Sequence, residues 1–326
     1  MSSTGTGAAT DLLPVLTIGE PLVAGVPTTS VPLDMAECVR LFPGGAELNV
    51  AVGLARLGLP CAFLGVVGTD PLGQLVLRRL ADEGIDASLV RGDSRPTGFY
   101  LREWLADGQR RPYYYRRGAA GGQLAPGDLP GALEEYSLVH LTGITPALGS
   151  APRATVELAA ARAASSGVQL SFDANYRPAL WRADEYLACV RPLLGSFDLL
   201  FVGEEEAGLL FSTTVPDRVT ERADAAGVGT CVLRLGARGA CARSNDRVLI
   251  ERSAPGSAVD PVGAGDAFDA GFLAGWLHGA TLGDCLALGA YCGARNVEVL
   301  GEHEGVPRRD ALPDSLARLL PDFRSP

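Results

Sequence analysis

Short apolar runs recur along the chain, and most of them stop at a glycine or a polar loop. Positions 15–18 (Val-Leu-Thr-Ile) end at Gly19, and 61–67 form a second run; both read as buried strands. Position 70 opens a helical stretch that ends at Gly84. From residue 138 the alternation becomes regular. Strands are predicted at 138–142, 168–172, 199–202 and 230–235, with helices at 151–166, which is alanine-rich, and at 183–194. Strands alternating with helices imply βαβ units, so the expected fold class is α/β: a Rossmann-like, mostly parallel sheet covered by helices on both faces. In such sheets ligands gather at the carboxyl ends of the strands. Three of these strands run into polar or glycine-rich loops, at 173–178, 203–206 and 236–239.

Other stretches break the alternation. The first 13 residues, rich in Ser, Thr, Gly and Ala, have no basic start and no apolar run, and are expected to form a flexible tail ahead of one domain spanning 14–326. Residues 20–42 are irregular, with prolines at 21, 27 and 32. A glycine turn at Pro43-Gly44-Gly45 then enters a helix that stops at Gly58, placing Asn49 one turn inside. Two aromatic-rich segments, 97–104 and 113–117, flank Asp107-Gly108-Gln109 and read as a β-hairpin. Strand period puts Tyr114 with Arg116 on one face and Tyr100 with Arg102 on one face of the partner. Residues 118–131 read as a Gly/Pro-rich linker.

The stretch 259–277 carries the chemistry. Asp260-Pro261 forms a turn, Gly263-Ala264-Gly265 follows, and the rest is helix-compatible without another proline. A glycine turn at a helix start exposes backbone N–H groups and the positive end of the helix dipole, which favours an anion. Asp266 stands beside that cradle, where a carboxylate can take a proton from an incoming hydroxyl. Small residues (Ala267, Ala270, Gly271, Ala274, Gly275) and aromatic ones (Phe268, Phe272, Trp276) each recur at helical period. One face is expected to approach the sheet closely and the other to fill core.

Composition narrows the chemistry. A net charge of −10 argues against nucleic acid or an anionic membrane as partner, so an anionic ligand must be held by local charge. All 28 basic residues are arginine, which removes P-loop lysines, Schiff bases and Ser-Lys dyads and leaves backbone amides, arginines and a metal ion to handle phosphate. Arg110, Arg111, Arg116 and Arg117 form a local basic cluster suited to a carboxylate or phosphate, with a solvated hairpin rim the alternative for Arg110 and Arg111. Seven cysteines without a C-x-x-C pair, and no targeting sequence, read as reduced residues of a cytoplasmic protein. His140, His278 and His303 show no metal spacing.

The motif Asp260-Pro261-Val262-Gly263-Ala264-Gly265-Asp266 and the stretch from Gly44-Gly45 to Gly58 resemble the two signatures of ribokinase-like (PfkB-type) carbohydrate kinases. The similarity runs from Gly19-Glu20-Pro21 to His303-Glu304-Gly305. Within that family, Gly44-Gly45-Ala46-Glu47, Tyr114 to Arg116, 140–145 and Asn175-Tyr176-Arg177 are most similar to 2-keto-3-deoxygluconate kinases. The resemblance implies a small β-stranded lid from segments within about 20–43 and 97–117, and ATP and Mg²⁺ as co-substrates, while leaving a monovalent cation open. It implies Asp266 as base and Gly263, Ala264 and Gly265 as the oxyanion hole. By the same resemblance Gly44, Gly45, Asn49, Tyr100, Tyr114, Arg116, Arg177 and Glu302 meet a sugar acid. Asn175, Arg234, Gly236, Arg238, Gly239 and Ala290 meet the nucleotide, and Glu206 organises the metal. The family's Asn-x-x-Glu reads Gly203-Glu204-Glu205-Glu206 here, so the amide is missing. A homo-oligomer through the lid is also expected, from the apolar hairpin positions Phe99, Leu101 and Trp104.

Rival readings are weaker. A dinucleotide-dependent oxidoreductase would need a third glycine where Phe268 stands, and a sugar-sensing regulator would be expected to lose Asp266. Within the family, a fructokinase-like or tagatose-type enzyme is the alternative.

Overall fold

Residues 12–29, 31–105, 110–244, 247–251 and 258–321 are described by a computed structural model. The chain enters through β1 (Val15–Ile18), leaves for β2 (Leu22–Pro27) and β3 (Val39–Gly44), and returns by helix α1 (Ala46–Arg56) to β4 (Cys61–Gly68). Helix α2 (Pro71–Asp82) and strand β5 (Val90–Asp93) follow, then β6 (Gly98–Trp104) and β7 (Arg110–Tyr115). From β8 (Leu138–Thr142) the order is α3 (Ser150–Ser166), β9 (Gln169–Asp173), α4 (Ala183–Val190), β10 (Leu199–Val202), α5 (Glu204–Phe211), α6 (Pro216–Ala225) and β11 (Thr230–Arg234). A hairpin of β12 (Ala240–Ser244) and β13 (Arg247–Glu251) precedes α7 (Ala264–Leu277), α8 (Leu282–Asn296) and the short α9 (Asp314–Ala317).

Among the described residues nine strands make the main sheet in the order β13-β12-β11-β10-β9-β8-β1-β4-β5, parallel except where β12 pairs antiparallel with β11 and β13. From β1 the chain builds outward through β4 and β5 on one side, and later through β8 to β11 on the other. The carboxyl ends of β1 and β8 therefore flank a topological switch point, where ligands are expected in such sheets. Local signals hold the helices in place. The Asp70 side chain caps α2 by accepting the Gly73 N–H at 2.8 Å, with Pro71 at the first helical position. The helix expected at 183–194 ends at Val190 and continues as a 3₁₀ turn, because Pro192 cannot donate the next helical bond.

A second sheet, β3-β2-β6-β7, forms the lid. The irregular reading of 20–42 is corrected here: β2 and β3 pair antiparallel, and β2 pairs parallel with β6. Its prolines do not interrupt pairing, since Pro21 precedes β2, Pro27 ends it, and Pro32 lies in the connection. The β6–β7 hairpin forms as expected, with Tyr100 opposite Tyr114, while its tip at 106–109 lies outside the described residues. The stretch at 118–131 is no loose linker: Ala119, Ala120 and Leu124 are buried, and Gly121 packs on Glu20 so tightly that a Cβ would overlap it.

Helix α7 corrects another expectation. Its aromatic stripe meets the sheet, with Phe201 of β10 edge-on to Phe268 and Phe272. Its small residues face other helices: Gly271 and Gly275 abut α8, and Ala270 abuts Gly53 of α1. Small side chains let three helix backbones close together, which fixes where the start of α7 points.

Candidate functional site

A polar cavity of about 370 Å³ opens between the lid and the carboxyl ends of the strands. Beside it lies a more apolar cavity of about 690 Å³, lined by Gly236, Ala237, Gly239, Phe268, Ala290 and Val297 among others. Arg234, Pro261, Ala264 and Gly265 line both, so the glycine turn stands at their seam. The turn demands glycine. Gly263 has φ 72°, and a Cβ there would overlap the Glu302 carbonyl oxygen. At Gly265 a Cβ would come within 2.9 Å of the Arg234 guanidinium.

Asp266 lines the polar side. Desolvation pushes its carboxyl up to about 6, against the lowering effect of a 2.7 Å hydrogen bond from the Asn49 Nδ2. Asn49, expected to meet a sugar, does line the cavity, and it also holds this carboxylate. Gly45 lines the cavity with φ 125°, a conformation that lets its backbone pass the Glu20 carbonyl. Gly44 stands behind, where a Cβ would press on the Glu302 side chain.

The arginines are more constrained than the sequence suggested. Arg116 lines the cavity but is ion-paired with the buried Glu20. Arg102, fully buried, joins Asp260 and Glu302 and donates to the Tyr100 hydroxyl at 2.9 Å. The Tyr100 hydroxyl in turn donates to Glu302. Glu302 thus lines the cavity with its charge already engaged, and burial raises its carboxyl to about 7 despite Arg102. Tyr114 lies 5.4 Å from the Tyr100 ring and under the Arg116 guanidinium. Arg110 lines the same cavity and donates to the Val259 carbonyl at 2.8 Å. Arg177, at the cavity mouth, donates to the Tyr176 carbonyl at 3.2 Å; no carboxylate among the described residues pairs with it.

Two expected nucleotide residues are ion-paired, and one of them lies away from the cavities. Arg234 lines the apolar cavity, and its largely buried guanidinium bridges Asp173 at 2.5 Å and Asp269 at 2.9 Å, which tethers β11, β9 and α7 together. Arg238 points to solvent, pairs with Glu204 at 2.6 Å, and does not line the apolar cavity, because the 3₁₀ turn at Gly236–Arg238 carries it outward. Asn175, Gly236, Gly239 and Ala290 do line one cavity or the other. Asn175 has φ 35°, unusual for a residue with a side chain, and its buried Oδ1 has no hydrogen-bond partner among the described residues. Glu206 lines the same region. Its two oxygens accept the Tyr176 and Gly203 N–H groups at 3.0 Å each, which fixes the carboxylate at the start of α5.

Several site residues escaped the sequence reading. Glu47 lines the cavity, accepts the Thr142 and Thr145 hydroxyls at 2.7 and 2.6 Å, and is raised to about 7 by burial. Glu20 is buried beside it. Each carboxylate occupies space vacated by a glycine distant in the chain, Gly19 for Glu47 and Gly121 for Glu20, a contact that the sequence alone does not display. Asp173, Asp269 and His303 were visible only as single polar residues.

Fold and site together define a class, ribokinase-like phosphotransferases in which a β-stranded lid closes over an α/β sheet. The pattern of pfkB family carbohydrate kinases matches residues 18–309, and the chain belongs to that family. It is a phosphotransferase with an alcohol group as acceptor. The chain is 32% identical over 278 residues to the 2-dehydro-3-deoxygluconokinase of Bacillus subtilis (strain 168), covering 84% of this chain and 86% of that one. It is 36% identical over 286 residues to a fructokinase of Klebsiella pneumoniae, covering 84% and 92% respectively. Among solved structures, a putative ribokinase II from E. coli in complex with ATP and Mg²⁺ superposes with a TM-score of 0.85 at 27% identity, covering 91% of this chain and 96% of that one.

Proposed function

We propose that the protein transfers the terminal phosphoryl group of ATP to the 6-hydroxyl of 2-keto-3-deoxygluconate, giving its 6-phosphate. The observation that carries this reading is the seam: a polar cavity and a more apolar one meet at Gly263–Gly265, with Asp266 facing the polar side. A sugar acid fills the former, and an adenine nucleotide the latter, against Gly236, Gly239 and Ala290. Asp266 removes the hydroxyl proton as the oxygen bonds to phosphorus and the bridging P–O bond breaks, releasing ADP. Gly263, Ala264 and Gly265 stabilise the charge on the transferring group through their amides. Mg²⁺ supplies charge neutralisation of the phosphates. The orphaned Asn175 Oδ1 and the Glu206 carboxylate would hold it.

The substrate carboxylate is assigned to Arg177, supported by Arg116. ADP release measured across sugar acids and neutral ketohexoses tests the assignment. Arg177→Ala is expected to reduce kcat/KM for the sugar acid about 10–100-fold, the worth of a charge-assisted hydrogen bond, and to leave neutral sugars much less affected. An equal loss for both would overturn it. One observation favours a second reading, a fructokinase-type neutral substrate: Glu20 already neutralises Arg116. Faster turnover of fructose than of the sugar acid would select that reading. The apolar outer face of the lid, with Val39, Leu41 and Tyr115 exposed, is assigned to a second copy of the chain.

A further inference from the structure

His303 is fully buried, touches no cavity described above, and hydrogen-bonds with one ring nitrogen only. Its Nδ1 is 2.9 Å from the Asn49 Oδ1, and the Asn49 Nδ2 is 2.7 Å from Asp266 Oδ2. Two proton arrangements satisfy this chain. In one, His303 donates from Nδ1 to the amide oxygen, and the amide nitrogen donates to an ionised Asp266. In the other, the amide is flipped, its nitrogen donates to an unprotonated Nδ1, and its oxygen takes a proton from a neutral Asp266. Only the first leaves Asp266 able to act as a base.

We propose that His303 is a positioning residue for phosphoryl transfer: its Nδ1–H holds the Asn49 amide in the orientation that donates to Asp266. The proposal rests on Asp266 being the base. The surroundings of the ring favour the required tautomer. Nε2 has no hydrogen-bond partner among the described residues, and Glu304 Oε1 is 3.9 Å away, too far for a bond. A proton there would be a buried donor without an acceptor. Burial above all disfavours a positive ring, and the nearby Arg79 and Arg56 add to this, so the imidazole stays neutral with its proton on Nδ1.

The groups facing Asp266 come from several elements: Glu47 on α1, Asp173 on β9, Arg177 after β9, Arg234 on β11, Asp269 on its own helix, and Glu302 in the closing loop. Glu302 adjoins His303 in the chain, and the backbone N–H groups of both donate to Glu304 Oε2, which does not involve the ring; the ring's own hydrogen bond toward Asp266 runs through Asn49.

The test is the acid limb of the kcat–pH profile in three variants, each first checked for a cooperative melt. His303→Leu removes the donor; His303→Asn places an amide N–H near the position of Nδ1; His303→Gln places one near Nε2 instead. The limb in His303→Leu and His303→Gln is expected to move up by about one pH unit, the scale of one hydrogen bond to a charged group. The limb in His303→Asn is expected to stay with the unsubstituted protein. Should His303→Leu fail to fold, the Asn and Gln pair makes the same comparison. Limbs that coincide in all folded variants, or that shift equally in Asn and Gln, would overturn the proposal. Asp266→Asn run alongside separates the two levels: turnover surviving in it removes the base itself, whereas its loss together with unshifted limbs removes only the role of His303.

Discussion

A general base works best when its own pKa lies near the working pH, and burial at Asp266 moves a carboxyl from the usual range to about 6. Turnover is therefore expected to fall about tenfold per unit as pH drops below about 6, which a pH–rate profile reads directly. Asp266→Asn should lower kcat by roughly 10²–10⁴-fold, the usual worth of a positioned base, with sugar affinity largely kept. The same substitution has a stability consequence of known sign. A carboxyl whose folded pKa is raised destabilises the fold once the unfolded chain can ionise it, so the penalty is absent below about pH 4 and complete above the folded value near 6. Asp266→Asn is thus expected to stabilise the ligand-free protein by about 1–3 kcal/mol at pH 8 and by little at pH 4, an offset that thermal melts at both values would detect.

At the scale of elements, the start of α7 is where backbone geometry and chemistry coincide. Gly263 needs a left-handed φ and has the Glu302 carbonyl against its Cα, so Gly263→Ala combines backbone strain with a steric clash. A loss of about 3 kcal/mol or more in denaturant unfolding is expected, together with collapse of turnover, because the turn must move to admit the methyl group. Arg234 anchors the other side of the same turn. The resemblance places it at the nucleotide, and it lines the apolar cavity, but the sequence did not show the two carboxylates it also holds, Asp173 on β9 and Asp269 on α7, which come together only when the sheet forms. A residue at the end of a strand faces a loop in the sequence, but in the fold it also faces its neighbours in the sheet.

Across the whole molecule, one buried ion group ties lid to body: Arg102 of β6 against Asp260 and Glu302. Replacing one partner of such a group leaves the others charged and uncompensated. Arg102→Met is expected to destabilise the fold by about 3–5 kcal/mol and to raise KM for the sugar, because the cavity wall carrying Tyr100 loses its anchor. The lid's outer face makes a separate prediction. Sedimentation should show concentration-dependent association, and Leu41→Glu with Tyr115→Glu should return the protein to monomer without altering the fold.

How much of this was legible beforehand differs by residue. The strand–helix alternation from 138 onward, the glycine turns at 44–45 and 263–265, and Asp266 beside the second turn were all readable, because each depends on local spacing, backbone freedom and period. The pattern of residues 20–42 was not, since β2 and β3 pair across a proline-containing connection and β2 finds its other partner in β6, more than seventy positions away. The charges were least legible. Composition established that phosphate could meet no lysine, and it supplied arginines in the right segments. Which of them stay open to a ligand was decided by partners from distant elements: Glu20 for Arg116, Asp260 and Glu302 for Arg102, Asp173 and Asp269 for Arg234. Backbone conformation is a property of neighbours along the chain, whereas the compensation of a buried charge is a property of neighbours in space, and only the folded protein brings those together.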